Sequence, residues 1–301
     1  MTSTLSAPAS PFTLTHPDAY RRWRDARLAA APTRLADLIV TVRNPRDLSA
    51  AEHGAILERC RRANMAIYVG PTGEDPDKAI PALLGARFGL HRLDHNPGAD
   101  ADAITSLKVQ TDAGHARYIP YTDRPIAWHT DGYYNRPERQ IHGLLLHCVH
   151  PAAVGGANAL LDHEVVYCLV RDQDPQFIEA LMHPACMTIP ANQGEGADGG
   201  TELRPEASGP VFSVRPDGRL HMRYTDRARN IVWRNDPLTT AAVECLKRVL
   251  QTPGPWHLEG RLESGWGLIC NNVLHTRTRF NDGAVPRLIY RARYYDRVAG
   301  T

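Results

Sequence analysis

The sequence predicts one mainly β domain whose helices lie chiefly at its N-terminal side. From about residue 104 onward, short runs rich in β-branched and aromatic residues alternate with turn residues, a pattern typical of a sandwich or barrel. Residues 16–103 instead contain longer stretches with helix-forming residues and capping residues. No internal repeat or low-complexity linker divides the 301 residues, so we expect a single domain over residues 16–301.

The N-terminal part alternates predicted helices with short strands. Residues 1–15 are small, polar and proline-containing, which predicts a disordered lead-in. The run "THPDAYRRWRDARLAAAP" predicts a first helix that ends at Pro32, and "DLIVTVRNP" predicts a strand. Ser49 followed by Glu52 has the spacing of a capping box and predicts the start of a second helix. "MAIYVG" then predicts a strand, and "DPDKAIPALLGARFGL" predicts a third helix.

The predicted β core covers about residues 104–297. Its candidate strands are "ITSLKVQ", "ARYIPYT", "IAWHTDG", "QIHGLLLHCVHP", "GPVFSV", "LHMRYT", "GWGLICNNVLHTRTRF" and "RLIYRARYYD". Two stretches, "DHEVVYCLVRDQDPQFIEALMH" and "DPLTTAAVECLKRVLQ", predict helices, and the Asp236–Pro237 pair marks the start of the second. Residues 190–210 are rich in Gly, Pro and Glu and predict a surface excursion or a lid.

Composition argues against several classes of partner. Lys and Arg number 35 against 33 Asp and Glu, without a basic stripe interleaved with aromatic residues, which argues against nucleic acid. No uninterrupted run of about 18 apolar residues predicts a membrane span. The six cysteines are widely spaced and the first residues lack a signal-peptide pattern, which predicts reduced thiols in a cytoplasmic protein. The sequence leaves open whether the protein forms a homo-oligomer.

The stretch "AWHTDGYYN" contains a candidate for half of a metal site. On an extended strand His129 and Asp131 point to the same face, because side chains alternate with period two. One carboxylate and two imidazoles form the facial triad of non-haem Fe(II) oxygenases, which leaves three octahedral positions for other ligands. A His-x-Asp triplet alone is more often an ordinary surface histidine beside a turn aspartate, so the prediction depends on a second histidine elsewhere.

The C-terminal strands supply the missing partners. "NNVLHTRTRF" contributes His275 as the third metal ligand. In "PRLIYRARYYD", Arg287 and Arg291 lie four residues apart and share a strand face. A guanidinium there can pair in two-pronged fashion with the distal carboxylate of a dicarboxylic keto acid. Asn158 follows a Gly-Gly turn in "GGANALLD" and could hydrogen-bond to the same cosubstrate.

In this order, the motifs carry a resemblance to a known family. The succession H-x-D, GG-x-polar, V-L-H-x-R and R-L-x-x-R resembles the Fe(II)- and 2-oxoglutarate-dependent dioxygenases of the taurine dioxygenase and clavaminate synthase-like superfamily. "PYTDRPIAWHTDGYYNRP" and "VLHTRTRF" are similar to its γ-butyrobetaine hydroxylase-like branch. The resemblance extends over about residues 36–297 and implies a double-stranded β-helix, a jelly-roll, cupin-like barrel with iron at its mouth.

The resemblance implies a role for each site residue. His129, Asp131 and His275 become ligands of Fe(II), and Arg287 becomes the partner of 2-oxoglutarate. Asn158 stands where the family usually has Thr. The implied reaction uses O2 to convert 2-oxoglutarate to succinate and CO2 while a small, polar or anionic metabolite is hydroxylated or otherwise oxidised at a C–H bond. The carboxylate of the triad is the ligand that related halogenases lack, which favours oxygenation.

Substrate residues are less sharply defined by the sequence. Arg291 matches a position that contacts an anionic substrate group in the taurine enzyme, which favours an acidic substrate. The carnitine-type branch instead surrounds a trimethylammonium group with aromatic rings, for which the candidates here are Trp128, Tyr133, Tyr134 and Tyr224. Lys108, in the strand-like run before the metal motif, is a further candidate. Between the two kinds of substrate, the anionic one is preferred.

Two other functions share the same scaffold or ligands. A non-catalytic jelly-roll protein could use the pocket to sense a ligand, although a pure binder has no need of both an iron triad and a keto-acid arginine. A zinc hydrolase could use the same ligands, but no general-base Glu stands near them in the sequence.

Overall fold

A computed structural model describes residues 10–96, 99–111, 118–193, 202–227 and 231–301 of the chain. In these ranges no helix is both long enough and apolar enough to cross a membrane. Residues 1–9 of the predicted lead-in and residues 194–201 of the predicted lid lie outside the described part.

Helices cover two sides of the molecule. They are α1 (Pro17–Ala30), α2 (Ala50–Ala63), α3 (Ala79–Arg87), α4 (His163–Gln173), α5 (Pro175–Leu181) and α6 (Pro237–Gln251). The predicted capping box of α2 is confirmed, since the Ser49 side chain accepts a hydrogen bond from the Glu52 N–H and the Glu52 side chain accepts one from Ser49. The single helix predicted from residue 162 is two helices, because Asp174 caps a new helix that has Pro175 at its first position.

The strands in chain order are β1 (Ile39–Thr41), β2 (Met65–Val69), β3 (Thr105–Leu107), β4 (Ile126–His129), β5 (Gly143–His150), β6 (Val154–Gly155), β7 (Asn158–Leu161), β8 (Met187–Ile189), β9 (Asn192–Gln193), β10 (Glu202–Arg204), β11 (Ala207–Gly209), β12 (Phe212–Val214), β13 (Leu220–Met222), β14 (Val232–Trp233), β15 (Leu258–Gly260), β16 (Trp266–Cys270), β17 (Leu274–Arg277), β18 (Phe280–Asn281) and β19 (Leu288–Tyr294). A six-stranded major sheet has the order β1-β2-β16-β5-β19-β3, and a four-stranded minor sheet has the order β15-β7-β17-β4.

The two sheets pack against each other through their inner faces. Leu160 and Leu258 of the minor sheet share one buried apolar cluster with Leu146, Leu268 and Ile289 of the major sheet. On the outer face of the major sheet, residues of β2, β5, β16 and β19 pack against α2 and α3. The outer face of the minor sheet is covered by α4, α5 and α6. The structure is therefore mainly β with flanking helices, as predicted.

Several elements differ from the sequence prediction. Residues 119–121 of "ARYIPYT" form a 3-10 turn rather than a strand, because Pro120 cannot donate to a ladder. "GWGLICNNVLHTRTRF" forms two strands, β16 and β17, which belong to different sheets. The chain changes sheets at Asn272, whose φ of 51° reverses its direction.

The two segments predicted to lack structure are partly ordered. Phe12 is buried in the cluster under α4, and the carbonyls of Pro11 and Thr13 accept hydrogen bonds from Arg171, so residues 10–15 do not behave as a free lead-in. Residues 190–210 contain the short strands β9, β10 and β11, and only their central part lies outside the described residues.

Candidate metal centre

Two neighbouring strands of the minor sheet carry the predicted histidines. β17 pairs antiparallel with β4, and the register places His275 directly opposite His129. Their neighbours Leu274 and Trp128 point the other way and pack in the outer cluster under α4–α6. Because side chains alternate along a strand, both imidazoles face the space between the sheets.

The turn after β4 brings Asp131 to the same point. Gly132 has a φ of +67°, and a Cβ there would lie 2.4 Å from Cγ1 of Ile141, so this turn requires glycine. Asn272 holds the turn from the opposite side: its Oδ1 accepts the Asp131 N–H at 2.8 Å, and its Nδ2 donates to the carbonyl of Asp131 at 2.9 Å and to that of Ile141 at 2.7 Å.

The three side chains converge within the dimensions of one metal site. Nε2 of His129 lies 3.5 Å from Oδ1 of Asp131, and Nε2 of His275 lies 3.9 Å from the same oxygen. One ligand atom from each residue lies within 4.8 Å of the others, and no other group of this kind occurs in the described residues.

The imidazoles are oriented for coordination through Nε2. Nδ1 of His129 is 2.9 Å from the carbonyl of Ala127, and Nδ1 of His275 is 3.0 Å from the carbonyl of Val273. A carbonyl can only accept, so each Nδ1 carries the proton and each Nε2 presents its lone pair. Burial lowers the pKa of His275 to about 4, which keeps this imidazole neutral near pH 7.

The carboxylate is ionised and incompletely satisfied. Burial disfavours its charge, but the positive charge of Arg291 and of further groups nearby outweighs that effect and holds the pKa of Asp131 well below its usual range. Its Oδ2 is buried without a hydrogen-bond partner, and Arg291 Nη1 lies 3.4 Å away. Two imidazole nitrogens and an anionic oxygen that lacks a full set of partners fit a divalent cation of intermediate softness such as Fe(II).

Arg287 lies just before β19 with a buried guanidinium. Its guanidinium stands over the Phe280 ring at 5.1 Å, and no contact between it and a carboxylate occurs among the described residues. Burial lowers its pKa to about 10, so it remains charged near pH 7. The other arginine over Phe280, Arg277, is surrounded instead by carbonyl acceptors, among them those of Thr122 and Arg124 at 2.6 Å each. A buried cation without a carboxylate partner is suited to the carboxylate of a bound acid.

Asn158 occupies a strand that the sequence analysis did not predict. It begins β7, beside β17, and its Nδ2 donates to the carbonyl of Thr276 at 2.7 Å. The amide thus links two strands of the minor sheet and retains its oxygen and one N–H for another partner.

Two of the four aromatic candidates, Tyr133 and Tyr134, follow Asp131 in the chain and pack partly against the outer cluster under α4–α6. The hydroxyl of Tyr133 accepts from Arg227 at 2.9 Å, and that of Tyr134 accepts from Arg293 at 2.7 Å. The two rings contact each other edge to face, with centroids 5.2 Å apart.

The structure places the remaining candidates elsewhere. Tyr224 is completely buried in the outer cluster, and Trp128 packs there against His257, so neither ring shares the face of His129. The predicted aromatic cage therefore loses Trp128 and Tyr224 of its four members. For Trp128 the reason is the alternation of side chains along β4, which turns position 128 away from position 129. Lys108 is exposed and follows the end of β3 instead of lying within a strand.

Comparison with known proteins assigns the family. The family described as "Taurine catabolism dioxygenase TauD, TfdA family" matches residues 45–293. The chain belongs to this family. It is therefore an Fe(II)-dependent oxygenase that couples conversion of 2-oxoglutarate to succinate and CO2 with O2-dependent hydroxylation, or a related C–H oxidation, of a small metabolite. The predicted enzyme class and cofactors are confirmed.

Two relatives of this TauD/TfdA-family enzyme carry the same name. A uridine-5'-phosphate dioxygenase from Streptomyces sp is 30% identical over 206 residues, which are 64% of this chain and 70% of that protein. A uridine-5'-phosphate dioxygenase from Amycolatopsis sp is 36% identical over 103 residues, 33% of each chain.

Solved structures share the fold of this TauD/TfdA-family enzyme at low sequence identity. AAD-2 in complex with Mn(II) and N-oxalylglycine superposes with a TM-score of 0.63 at 11% identity, covering 87% of this chain and 96% of that one. Asparagine oxygenase in complex with Fe(II), 3-hydroxyasparagine and succinate gives a TM-score of 0.57 at 14% identity, covering 96% and 86%. At such identities the likeness concerns the fold alone.

Sequence reasoning missed the residues that hold the ligands in place. Asn272 fixes the Asp131 turn, and Asp94 and Arg293 form a buried ion pair beside it. The doubled Asn in "CNNVLH" was the available signal for the first, since Asn tolerates a positive φ. The alternating "RAR" in β19 was the signal for Arg293, but nothing local marks Asp94 as its partner.

Proposed function

We propose that His129, Asp131 and His275 hold the Fe(II) of this enzyme and that Arg287 binds the distal carboxylate of 2-oxoglutarate. The observation that carries this assignment is the convergence of three ligand atoms within 4.8 Å around a carboxylate oxygen that lacks a hydrogen-bond partner. The two facing sheets then correspond to a double-stranded β-helix that forms one catalytic domain. Six free, buried thiols support a cytoplasmic location.

The protein's part in the reaction is to bind, orient and exclude water. The two Nε2 atoms and Asp131 supply three ligands on one side, and the bound iron provides O2 activation and C–H oxidation. Arg287 fixes the far end of the keto acid from a buried position. Asn158 can hydrogen-bond to the same molecule with the amide groups that Thr276 leaves free. Arg291, 8% exposed, lies beside Asp131 at the substrate side.

We propose an anionic substrate, with a nucleoside 5'-monophosphate as the first candidate. Arg204, Arg223 and Arg227 lie around the Tyr133–Tyr134 pair, and in the described residues none of them pairs with a carboxylate. Their hydrogen bonds go to backbone carbonyls and a tyrosine hydroxyl, which leave their charge uncompensated. This excess of positive charge favours an anion at the mouth of the site. The relatives named uridine-5'-phosphate dioxygenase support phosphate as that anion.

The test measures succinate formation by the purified enzyme with Fe(II), ascorbate and 2-oxoglutarate under air. Uridine 5'-phosphate is expected to stimulate succinate release and to be oxidised itself, one molecule for each succinate formed. Unphosphorylated uridine is expected to leave only the slow uncoupled rate of succinate formation. Arg291→Gln is expected to raise the KM for the nucleotide more than the KM for 2-oxoglutarate.

Each alternative outcome has a distinct meaning. Stimulation by a neutral or cationic metabolite, and none by phosphorylated ones, would refute the substrate class and leave the enzyme class intact. A larger effect of Arg291→Gln on 2-oxoglutarate than on substrate would show that the roles of the two arginines are exchanged. Absence of succinate under every condition would favour the ligand-sensing alternative.

A further inference from the structure

A polar cluster lies at the edge of the major sheet, on the strand that also carries Arg291. Arg293 of β19 is 2% exposed, and its Nη2 donates to Oδ2 of Asp94 while its Nη1 donates to the Tyr134 hydroxyl at 2.7 Å. Oδ1 of Asp94 accepts from the hydroxyl of Tyr295 at 2.5 Å, and that hydroxyl accepts from Arg139 at 2.8 Å.

Two guanidinium groups on β19 lie on the face of the strand from which Arg291 contacts the metal carboxylate. Arg291 and Arg293 share this inner face, since Tyr290, Ala292 and Tyr294 pack in the cluster under α2 and α3. Arg291 Nη1 already lies 3.4 Å from Oδ2 of Asp131. A guanidinium pairs readily with a carboxylate in a two-pronged arrangement, and Oδ2 has no hydrogen-bond partner. Without another counter-ion, Arg293 would compete with the metal for Asp131.

We propose that Asp94 is a positioning residue that keeps Arg293 away from the metal carboxylate and so maintains the affinity of the site for its divalent cation. This inference rests on the proposed role of Asp131 as an iron ligand. The charges of Asp131, Arg291, Arg293 and Asp94 sum to zero before the metal binds, while the exposed side chain of Arg139, 3.9 Å from Asp94, adds a positive charge that solvent screens. Removal of the Asp94 charge leaves an excess positive charge beside the place where a dication must bind, and frees the Arg293 guanidinium to turn toward Asp131.

The backbone holds Asp94 in a fixed place. Its N–H donates to the carbonyl of Arg293 at 2.8 Å, and the preceding residue, Leu93, forms a β-bridge with Tyr294. Both carboxylate oxygens are occupied, one by Arg293 and one by Tyr295, so the carboxylate is 3% exposed yet fully bonded. The aspartate is thus built into the sheet edge and cannot itself reach the metal ligands by a change of rotamer without losing both bonds.

The experiment measures the affinity of the metal-free full chain for Mn(II), by calorimetry without O2 or 2-oxoglutarate. Asp94→Asn is expected to weaken Mn(II) binding roughly tenfold, the size expected for a residue that supports a ligand. Arg293→Gln introduced into Asp94→Asn removes the unpaired charge and is expected to restore the affinity to about the wild-type value. This neutral double variant also serves if Asp94→Asn alone fails to fold.

Controls separate this role from general stability. Asp296→Asn removes a comparable carboxylate that pairs with Arg92 at the same sheet edge, and it is expected to leave Mn(II) affinity unchanged. Wild-type affinity for Asp94→Asn, or a double variant as weak as the single one, would overturn the role of Asp94. If His129→Ala leaves Mn(II) affinity unchanged, the ligand assignment itself fails, and this inference fails with it.

Discussion

His129 and His275 are oriented by the same local device. Each ring donates from Nδ1 to the carbonyl two residues before it, at 2.9 Å and 3.0 Å, so the strand that carries each histidine also fixes its tautomer. The Nε2 atoms that we propose bind the metal are therefore oriented before any metal arrives. Asp131 lies beyond the end of β4, and its backbone is held instead by the side chain of Asn272.

Replacement of Asn272 tests that support. Asn272→Ala leaves the Asp131 N–H and two carbonyls without their partner and places Ala at a φ of 51°, so we expect about 2 kcal/mol less stability and roughly tenfold weaker metal binding. Urea unfolding and metal titration measure the two effects. Asn271→Ala is the matched control. Because Asn271 hydrogen-bonds to Asn64 and Thr301, this variant is expected to be less stable than the wild type but to bind the metal equally well. Equal metal affinities for both variants would contradict the assigned role.

Arg287 is expected to act on the cosubstrate alone. Arg287→Gln removes a charge-assisted pair with the distal carboxylate, and we expect the KM for 2-oxoglutarate to rise about 10- to 100-fold while Mn(II) affinity stays unchanged. Steady-state succinate assays with varied 2-oxoglutarate measure this change. Arg279→Gln, at an exposed arginine that pairs with Asp123, is the control and should behave as wild type. An unchanged KM in Arg287→Gln would refute the assignment.

The two faces of strand β4 have different roles, one in the metal site and one in packing. His129 faces the space between the sheets, while Trp128 packs in the outer cluster beside His257. We expect Trp128→Leu to lower the free energy of unfolding by about 2 kcal/mol through lost packing, with little change in the KM for either substrate. Denaturant unfolding and steady-state kinetics measure the two quantities. A large selective rise in substrate KM would restore Trp128 as a binding residue.

The sequence predicted which three candidate ligands come together better than it predicted the elements that carry them. His129, Asp131 and His275 converge as expected from the ordered motifs, but Asp131 lies in the turn after β4 and not on the strand from which its period-two placement was argued. The break within "GWGLICNNVLHTRTRF" was not predicted, because a change of sheet depends on long-range pairing and an Asn in positive φ. The strand that begins at Asn158, just after the Gly-Gly turn, was not predicted for the same reason: the four residues of β7 are recognisable only beside β15 and β17.

Across the molecule, two sheets enclose the site and two groups of helices cover their outer faces. This layering brings residues 94, 131, 275 and 293 into one buried network although they are distant in the chain. The sequence shows that the total charge is nearly balanced, but it cannot show where in the fold positive charges are paired. The arginines near Tyr133 lack a carboxylate partner, whereas the arginine beside Asp94 has one. Such placement depends on the folded sheets.

Buried histidines give the whole fold a pH dependence. Burial lowers the pKa of His142 to about 3 and the pKa of both His147 and His163 to about 4. Below about pH 6.5 the unfolded chain therefore takes up protons that the folded one does not, and stability falls as pH drops toward 4. We expect a loss of up to about 1.4 kcal/mol per pH unit for each histidine.

Urea unfolding of the metal-free protein between pH 7 and 5 measures this slope. Carboxylates with a lowered pKa titrate below that window, whereas Glu164, whose pKa is raised by burial, works against the histidines. His142→Gln is expected to reduce the slope of the unfolding free energy against pH by the contribution of about one proton. Equal stability at pH 7 and pH 5 would show that these histidines are not buried in neutral form.

The central claim is tested most directly by an anomalous difference map from crystals grown with Mn(II) and 2-oxoglutarate. The account predicts one metal peak, bonded to Nε2 of His129, Nε2 of His275 and a carboxylate oxygen of Asp131, with the distal carboxylate of the keto acid on Arg287. A peak at any other position, or a keto acid bound away from Arg287, would contradict it.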